Sequence, residues 1–147
     1  MLLCEVEANG SYETGNIIKR IANSRFLEQI RIIAINGTTV AGTNTVDITN
    51  IYSKFKMPIM TITRKKPVQM LKESILSIKK DGYAHKTETL DRISKSAKLE
   101  KQGGFYVQHM GIENVTAYKY IENAPSSLKL AHMIASKVAR GESKGRI

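Results

Sequence analysis

The feature that most constrains this chain is an apolar segment that ends at a polar residue and leads into a helix. Arg31–Ile35 is almost continuously apolar, which is typical of a buried strand. Asn36-Gly37 then gives a turn signal, and a loop of small residues precedes the next helical pattern. In α/β proteins, sites form where such strands end, at the carboxyl edge of the sheet. Residue 36 is therefore the first candidate for a functional position, and it is an asparagine.

Hydrophobic spacing predicts an alternation of strands and helices along the whole chain. The predicted strands are Leu3–Ala8, Ile30–Ile35, Pro58–Thr63 and Phe105–Met110. The predicted helices are Glu13–Phe26, Thr43–Phe55, Val68–Lys80, Glu88–Leu99, Glu113–Asn123 and a last helix capped by Ser126 or Ser127. The first three strands form a βαβαβ unit with the helices between them. We therefore predict one α/β domain over residues 1–147, with a mostly parallel sheet and helices on both faces.

The composition favours a polyanionic partner. The 147 residues carry a formal net charge of +10, and 41% of them are hydrophobic, as in an ordinary globular protein. Such a charge favours nucleic acid first and an anionic membrane second, although simple solubility also accounts for it. The one cysteine, Cys4, supports neither a disulfide framework nor a structural zinc site. No apolar run is long enough for a membrane span, so we expect a cytoplasmic protein without a membrane partner.

Basic residues follow the third predicted strand. Arg64, Lys65 and Lys66 would lie at the same edge of the sheet as Asn36, where they can contact phosphates or remain solvated charges. The three histidines, His85, His109 and His132, do not have the spacing of a zinc motif, and we expect packed or solvated roles for them. The sequence contains no P-loop and no nucleophile-elbow motif.

Two segments together resemble a known family. The first is Ile35–Ile48, which is followed by Pro58-Ile59 and Arg64–Pro67. The second is the tail Leu128–Ala135 with Arg140–Arg146. Both look like the archaeal endonuclease dU proteins, formerly a domain of unknown function, which are similar to endonuclease V and have a ribonuclease H-like fold. The resemblance implies a Mg²⁺-dependent endonuclease that acts on DNA rather than RNA, with uracil- or inosine-containing DNA as the substrate.

The chain departs from the family pattern at acidic positions. The family strand usually ends in Asp-Gly, where this chain has Asn36-Gly37, and Asn9-Gly10 and Tyr12 stand where further acids are usual. Family members also begin with an acidic hairpin, whereas this chain starts at what would be the third strand. If the sequence is complete, the central strand of the fold is absent. The sheet then either closes up, with the first strand beside Ile30–Ile35, or borrows a strand from a partner chain, and an exposed sheet edge favours a homodimer.

These departures change the chemistry that the resemblance implies. Phosphodiester cleavage by two metal ions needs several carboxylates around Mg²⁺, and asparagine offers only a neutral carbonyl. The acids left near the predicted edge are Asp47, placed on one helix face with Asn44, and Glu142. We predict no metal site, with Asn36 and Asp47 as the catalytic candidates. The predicted nucleic-acid contacts are Arg64, Lys65, Lys66, Lys144 and Arg146.

Three interpretations remain open at this point. The chain is a binding module that is nucleic-acid-associated, with impaired or absent cleavage. Alternatively, it is an active endonuclease on deaminated DNA. A third interpretation is a start codon assigned too far downstream, with the acidic hairpin encoded before Met1. Fold alone does not decide among them.

Overall fold

The computed structural model of this chain describes residues 13–40, 44–67, 83–102, 104–113, 124, 126–131 and 133–134. The chain divides into two compact units. One unit is Leu2–Ile112, which contains the sheet. The other is Glu113–Ile147 with Met1, in which residues 126–131 and 133–134 are helical, as predicted for the last helix.

The sheet-containing unit alternates strands and helices. In the described ranges its helices are α1 (Glu13–Ala22), α2 (Ile48–Phe55) and α3 (Tyr83–Ser96), and a 3₁₀ turn spans Leu27–Gln29. Its strands are β1 (Ile33–Asn36), β2 (Thr39–Val40), β3 (Asn44–Thr45), β4 (Ile59–Thr63), β5 (Lys98–Gln102) and β6 (Phe105–Met110). The predicted strand Leu3–Ala8 and the predicted helices Val68–Lys80 and Glu113–Asn123 lie mainly or wholly outside the described residues.

The main sheet has the strand order β1-β4-β6-β5. β1 and β4 are parallel, with Ile33 opposite Ile59 and Asn36 opposite Ile62, and α2 is the crossover between them. β6 is antiparallel to both β4 and β5. The α/β class is confirmed, but the described sheet is mixed rather than mostly parallel. The reason is a hairpin of β5 and β6, which brings the chain back beside β4.

The hydrophobic core lies between the three helices and one face of the sheet. Its buried members come from the loop before α2, from α2, β4 and α3: Val46, Ile48, Ile51, Ile59 and Ile93. Ile33 and Ile35 of β1 pack against this cluster from the same sheet face. Side chains of the opposite face are buried as well, among them Met60, Ile62, Val107 and His109. Both faces of the sheet are therefore covered, as the near-continuous apolar strands predict.

Three predicted helices have different bounds in the structure, and the first of them, predicted over Glu13–Phe26, ends at Ala22. The helix predicted from Thr43 begins only at Ile48, because Asn44–Thr45 pairs with Thr39–Val40 in a small antiparallel ribbon. Asn44 and Asp47 therefore do not share a helix face, and that part of the prediction is wrong. The helix predicted over Glu88–Leu99 is α3, which begins earlier and gives way to β5 at Lys98.

Candidate nucleic-acid interface

Asn36 is the last residue of β1 and lies at the carboxyl edge of the sheet, as the sequence predicts. Its neighbour across the sheet is Ile62 of β4, and the Gly37 amide donates to the Ile62 carbonyl oxygen at 2.9 Å. Gly37 has a φ of 89°, a backbone conformation that suits glycine and turns the chain away from the sheet. The Asn36 side chain is exposed at this turn. It thus presents a neutral amide next to the end of β4.

The basic run follows β4 at the same edge. Arg64, Lys65 and Lys66 are exposed, and the buried Pro67 comes directly after them. The Thr63 hydroxyl donates to the Lys65 carbonyl oxygen at 2.7 Å and fixes the turn that carries the three cations. The parallel pairing of β1 and β4 therefore brings Asn36 and the basic run together, as predicted. We call Asn36 with Arg64, Lys65 and Lys66 the basic edge.

Asp47 has a different environment from the one expected of a catalytic carboxylate. It is the N-cap of α2, and its Oδ1 accepts hydrogen bonds from the Thr49 amide, the Thr49 hydroxyl and the Asn50 amide. Its Oδ2 accepts from Arg92 of α3 at 2.5 Å. The Asp47 side chain is 8% exposed, whereas that of Arg92 is 52% exposed. Both carboxylate oxygens therefore accept hydrogen bonds within the fold, Oδ1 from the start of α2 and Oδ2 from α3.

The backbone of Asp47 is held as firmly as its side chain. The Asp47 amide donates to the Thr14 hydroxyl of α1 at 3.0 Å, and the neighbouring Val46 amide donates to the Thr38 carbonyl oxygen at 3.1 Å. The start of α2 is thus tied both to α1 and to the segment just after Asn36. These contacts explain why the residue is buried, and they give it a structural function.

The described residues do not fit the divalent metal site that the family resemblance implies. In the described ranges, no group of three or more His, Cys, Asp or Glu side chains is placed to hold a metal ion. Mg²⁺ is held mainly by anionic oxygens with free lone pairs. At this edge Asn36 offers only an amide, and the carboxylate of Asp47 already accepts four hydrogen bonds.

The structure adds three residues that the sequence analysis did not select. Arg92 reaches Asp47 across 45 positions of the sequence, and no local pattern signals such a contact. Lys101 and Tyr106 are direct cross-strand neighbours on β5 and β6, and the Lys101 Nζ lies 5.7 Å from the centre of the Tyr106 ring. In the sequence, Gly103-Gly104 is a turn signal that points to this pair, because a short hairpin loop sets the register of its two strands.

His109 is one of the buried polar residues on this sheet. Its side chain is 1% exposed, and its Nε2 lies 3.3 Å from Glu100 Oε1 on β5 without a hydrogen-bonding geometry. It is packed within the sheet, as expected. The remaining candidates Glu142, Lys144 and Arg146 fall outside the described residues.

A model of the endonuclease dU family matches residues 1–139, which is most of the chain. The chain belongs to the endonuclease dU family. The resemblance seen in the Asn36 loop and in Leu128–Ala135 is thereby confirmed. The segment Arg140–Arg146 lies beyond the matched residues.

The relatives of this endonuclease dU family member are archaeal proteins. A UPF0215 protein of Thermococcus sibiricus is 35% identical over 95% of this chain and 73% of its own length. One from Pyrococcus horikoshii is 34% identical over 95% of this chain and 74% of its own length. The crystal structure of a protein of unknown function from Archaeoglobus fulgidus superposes with a TM-score of 0.80 and 24% identity, covering 93% of this chain and 80% of that one. That structural likeness shows a shared fold.

The described helices do not support a membrane span. None of them, within the residues that the structure describes, is both long enough and apolar enough to cross a bilayer.

Proposed function

We propose that this endonuclease dU family member binds DNA through its basic edge and has impaired or absent metal-dependent cleavage. The observation that carries the proposal is the pairing of exposed cations with a neutral amide. Arg64, Lys65 and Lys66 follow β4 directly beside Asn36 at the end of β1. Cations in this arrangement attract phosphates, whereas the amide cannot supply the negative charge that a divalent ion needs.

The environment of Asp47 supports the second half of the proposal. A catalytic carboxylate needs a free lone pair directed at the metal ion. The Asp47 oxygens instead accept from the α2 amides, the Thr49 hydroxyl and Arg92. Releasing them would uncap α2 and leave a buried carboxylate without its cation. Asp47 therefore acts as a helix cap and Asn36 as a site position without catalytic charge.

The wider setting follows from the same features. DNA is favoured over RNA because the family is named for an endonuclease acting on deoxyuridine. A chain with one cysteine and a net charge of +10 suits a reducing cytoplasm that contains nucleic acid.

We also propose that the protein functions as a homodimer, for which the edge of β1 is the pairing surface. If the tail residues Lys144 and Arg146 also contact phosphate, they add to the same electrostatic attraction.

Salt dependence of DNA binding tests the basic edge. The probe is a fluorescent 20-nucleotide uracil-containing duplex, titrated by anisotropy in EDTA over a series of KCl concentrations. The triple variant Arg64→Gln, Lys65→Gln, Lys66→Gln removes up to three phosphate contacts. We expect the slope of log K against log[KCl] to become less negative by about 2 to 3, since each contact contributes roughly 0.9 for duplex DNA.

The matched control removes the same charge from the opposite edge of the sheet. Lys19 and Arg20 lie in the last turn of α1, which the 3₁₀ turn connects to the start of β1, and Lys54 lies in the last turn of α2, before β4. All three are exposed. The triple variant Lys19→Gln, Arg20→Gln, Lys54→Gln should leave the slope within about 0.5 of wild type. An equal change in both triple variants would show that net charge alone governs binding and would reject the basic edge.

The second candidate is an active endonuclease on uracil- or inosine-containing DNA, and family membership favours it. A nicking assay with purified protein and Mg²⁺ or Mn²⁺ separates the two candidates. We expect no metal-dependent product above background from wild type. Cleavage by wild type that is lost in Asn36→Ala would refute the impaired-cleavage proposal and assign a catalytic function to the amide.

A further inference from the structure

We infer that the DNA-contact surface continues from the basic edge across β6 to Lys101 of β5, which binds a further phosphate of the same DNA strand. This inference rests on the proposed DNA-binding function and extends it to a second point of contact. Lys101 is exposed and lies near the end of β5. Its position follows from the hairpin, because β5 runs in the same direction as β4 and ends at the same edge of the sheet.

The register of the sheet fixes the distance between the two points. Thr63 lies opposite Tyr106, and Tyr106 lies opposite Lys101, so these residues form one row across three strands. Adjacent strands are about 4.8 Å apart, which places the Lys101 backbone roughly 10 Å from that of Thr63. Arg64 follows Thr63 directly. Along the axis of a duplex each strand carries one phosphate about every 3.4 Å, so a row of this length laid along the axis spans about three phosphates.

The Tyr106 ring positions the Lys101 side chain. The Nζ lies 5.7 Å from the centre of the ring, within the range of a cation–π contact. Such a contact restricts the long lysine chain before it binds, and this lowers the conformational entropy lost on binding. Tyr106 is therefore a positioning residue for Lys101.

Within the described residues, the acid next to this lysine in the sequence does not neutralise it. Glu100 precedes it in the strand, and alternation along β5 directs the two side chains to opposite faces of the sheet. The Glu100 carboxylate is 3.3 Å from the buried His109 ring on its own face. Lys98 offers a comparison on the same strand, since it is also exposed but lies opposite His109 at the other end of β5.

The test uses the same uracil-containing duplex and KCl series in EDTA. Lys101→Gln should make the salt slope less negative by about 0.9, one phosphate contact, and Lys98→Gln should leave it unchanged. Tyr106→Leu removes the ring and should reproduce part of the Lys101→Gln effect, whereas Tyr106→Phe keeps the ring and the wild-type slope. The double variant Lys101→Gln, Tyr106→Leu should match Lys101→Gln alone, because Tyr106 acts through Lys101.

The salt slope separates a lost contact from a lost fold. A smaller folded fraction lowers the affinity by the same factor at every salt concentration and leaves the slope intact. A wild-type slope for Lys101→Gln, with a reduced slope for the Arg64, Lys65, Lys66 triple variant, would overturn this extension and leave the proposed function standing. Wild-type slopes for both variants would overturn the extension together with the basic edge.

Discussion

At the scale of single residues, two threonines of β4 differ in the hydrogen bonding of their side-chain hydroxyl groups. Thr61 and Thr63 both lie on the sheet face that carries Ile59, and both are buried. The Thr63 hydroxyl donates to the Lys65 carbonyl oxygen. The Thr61 hydroxyl has no hydrogen-bond partner within the described part of the chain. A buried hydroxyl without a partner destabilises the fold, whereas a satisfied one stabilises it.

Valine substitutions at these two positions should therefore have opposite effects. Thr61→Val removes an unsatisfied hydroxyl and should raise the free energy of unfolding by about 1 kcal/mol. Thr63→Val removes the bond that fixes the turn of the basic run and should lower it by about 1 kcal/mol. Urea denaturation followed by circular dichroism measures both values, with each variant serving as the control for the other. A shift of the same sign in both variants would contradict the assignment.

At the scale of secondary-structure elements, the structure depends on how α2 begins. Asp47 supplies the cap, the contact to α1 through its amide and the ion pair to α3 through its Oδ2. One residue thus orients three helices against the same face of the sheet. The buried side chains that follow it, Ile48 and Ile51, depend on this orientation to reach the core.

Replacing Asp47 separates the contribution of the cap from that of the ion pair. Asp47→Ala should lower the free energy of unfolding by about 1 to 2 kcal/mol through loss of the cap, with a further loss from the unpaired Arg92. Asp47→Ser keeps a capping oxygen and should recover about half of that loss. Arg92→Gln removes only the ion pair, and because Arg92 is half-exposed the effect should stay below about 1 kcal/mol. If denaturation curves show that Arg92→Gln is as destabilising as Asp47→Ala, the cap is not the main contribution of Asp47 to the free energy of unfolding.

The same elements show what the sequence predicts and where it does not suffice. The apolar stretch Ile59–Thr63 is predictable as a strand because its burial is continuous and needs no partner to define it. Aspartate is a common N-cap, but hydrophobic spacing predicts the helix from Thr43 and not from the residue after Asp47, because a two-residue ribbon has no periodicity of its own. β5 has one large apolar residue, Leu99, so pairing with β6 rather than local preference makes it a strand. The proximity of Asn36 and Arg64 is predictable, because each residue follows or ends one of two strands that run parallel in the same sheet. The contact of Arg92 with Asp47 is not predictable in this way, because it depends on how α3 packs in the tertiary fold.

At the scale of the whole molecule, the two ends of the described strand order differ in character. β5 carries the exposed cations Lys98 and Lys101, and lysine on an edge strand discourages pairing with another chain. β1 is apolar, with Ile33, Ala34 and Ile35, and among the described strands it pairs only with β4. Of these two edges of the described sheet, the edge of β1 is therefore the one that suits a second copy of the chain. DNA would then bind at the basic edge of each copy.

A homodimer through β1 should appear in solution at micromolar concentration. Light scattering after size-exclusion chromatography should give about twice the 16.4 kDa chain mass. The Ile33 and Gly37 amides donate to β4, so by alternation along a parallel strand the Ala34 amide is directed away from β4. Ala34→Pro removes that outward donor without removing a hydrogen bond to β4 and should shift the mass towards one chain, while Leu99→Lys on β5 serves as the control and should not. A wild-type mass of one chain would refute the dimer and mean that the outer edge of β1 recruits no second copy.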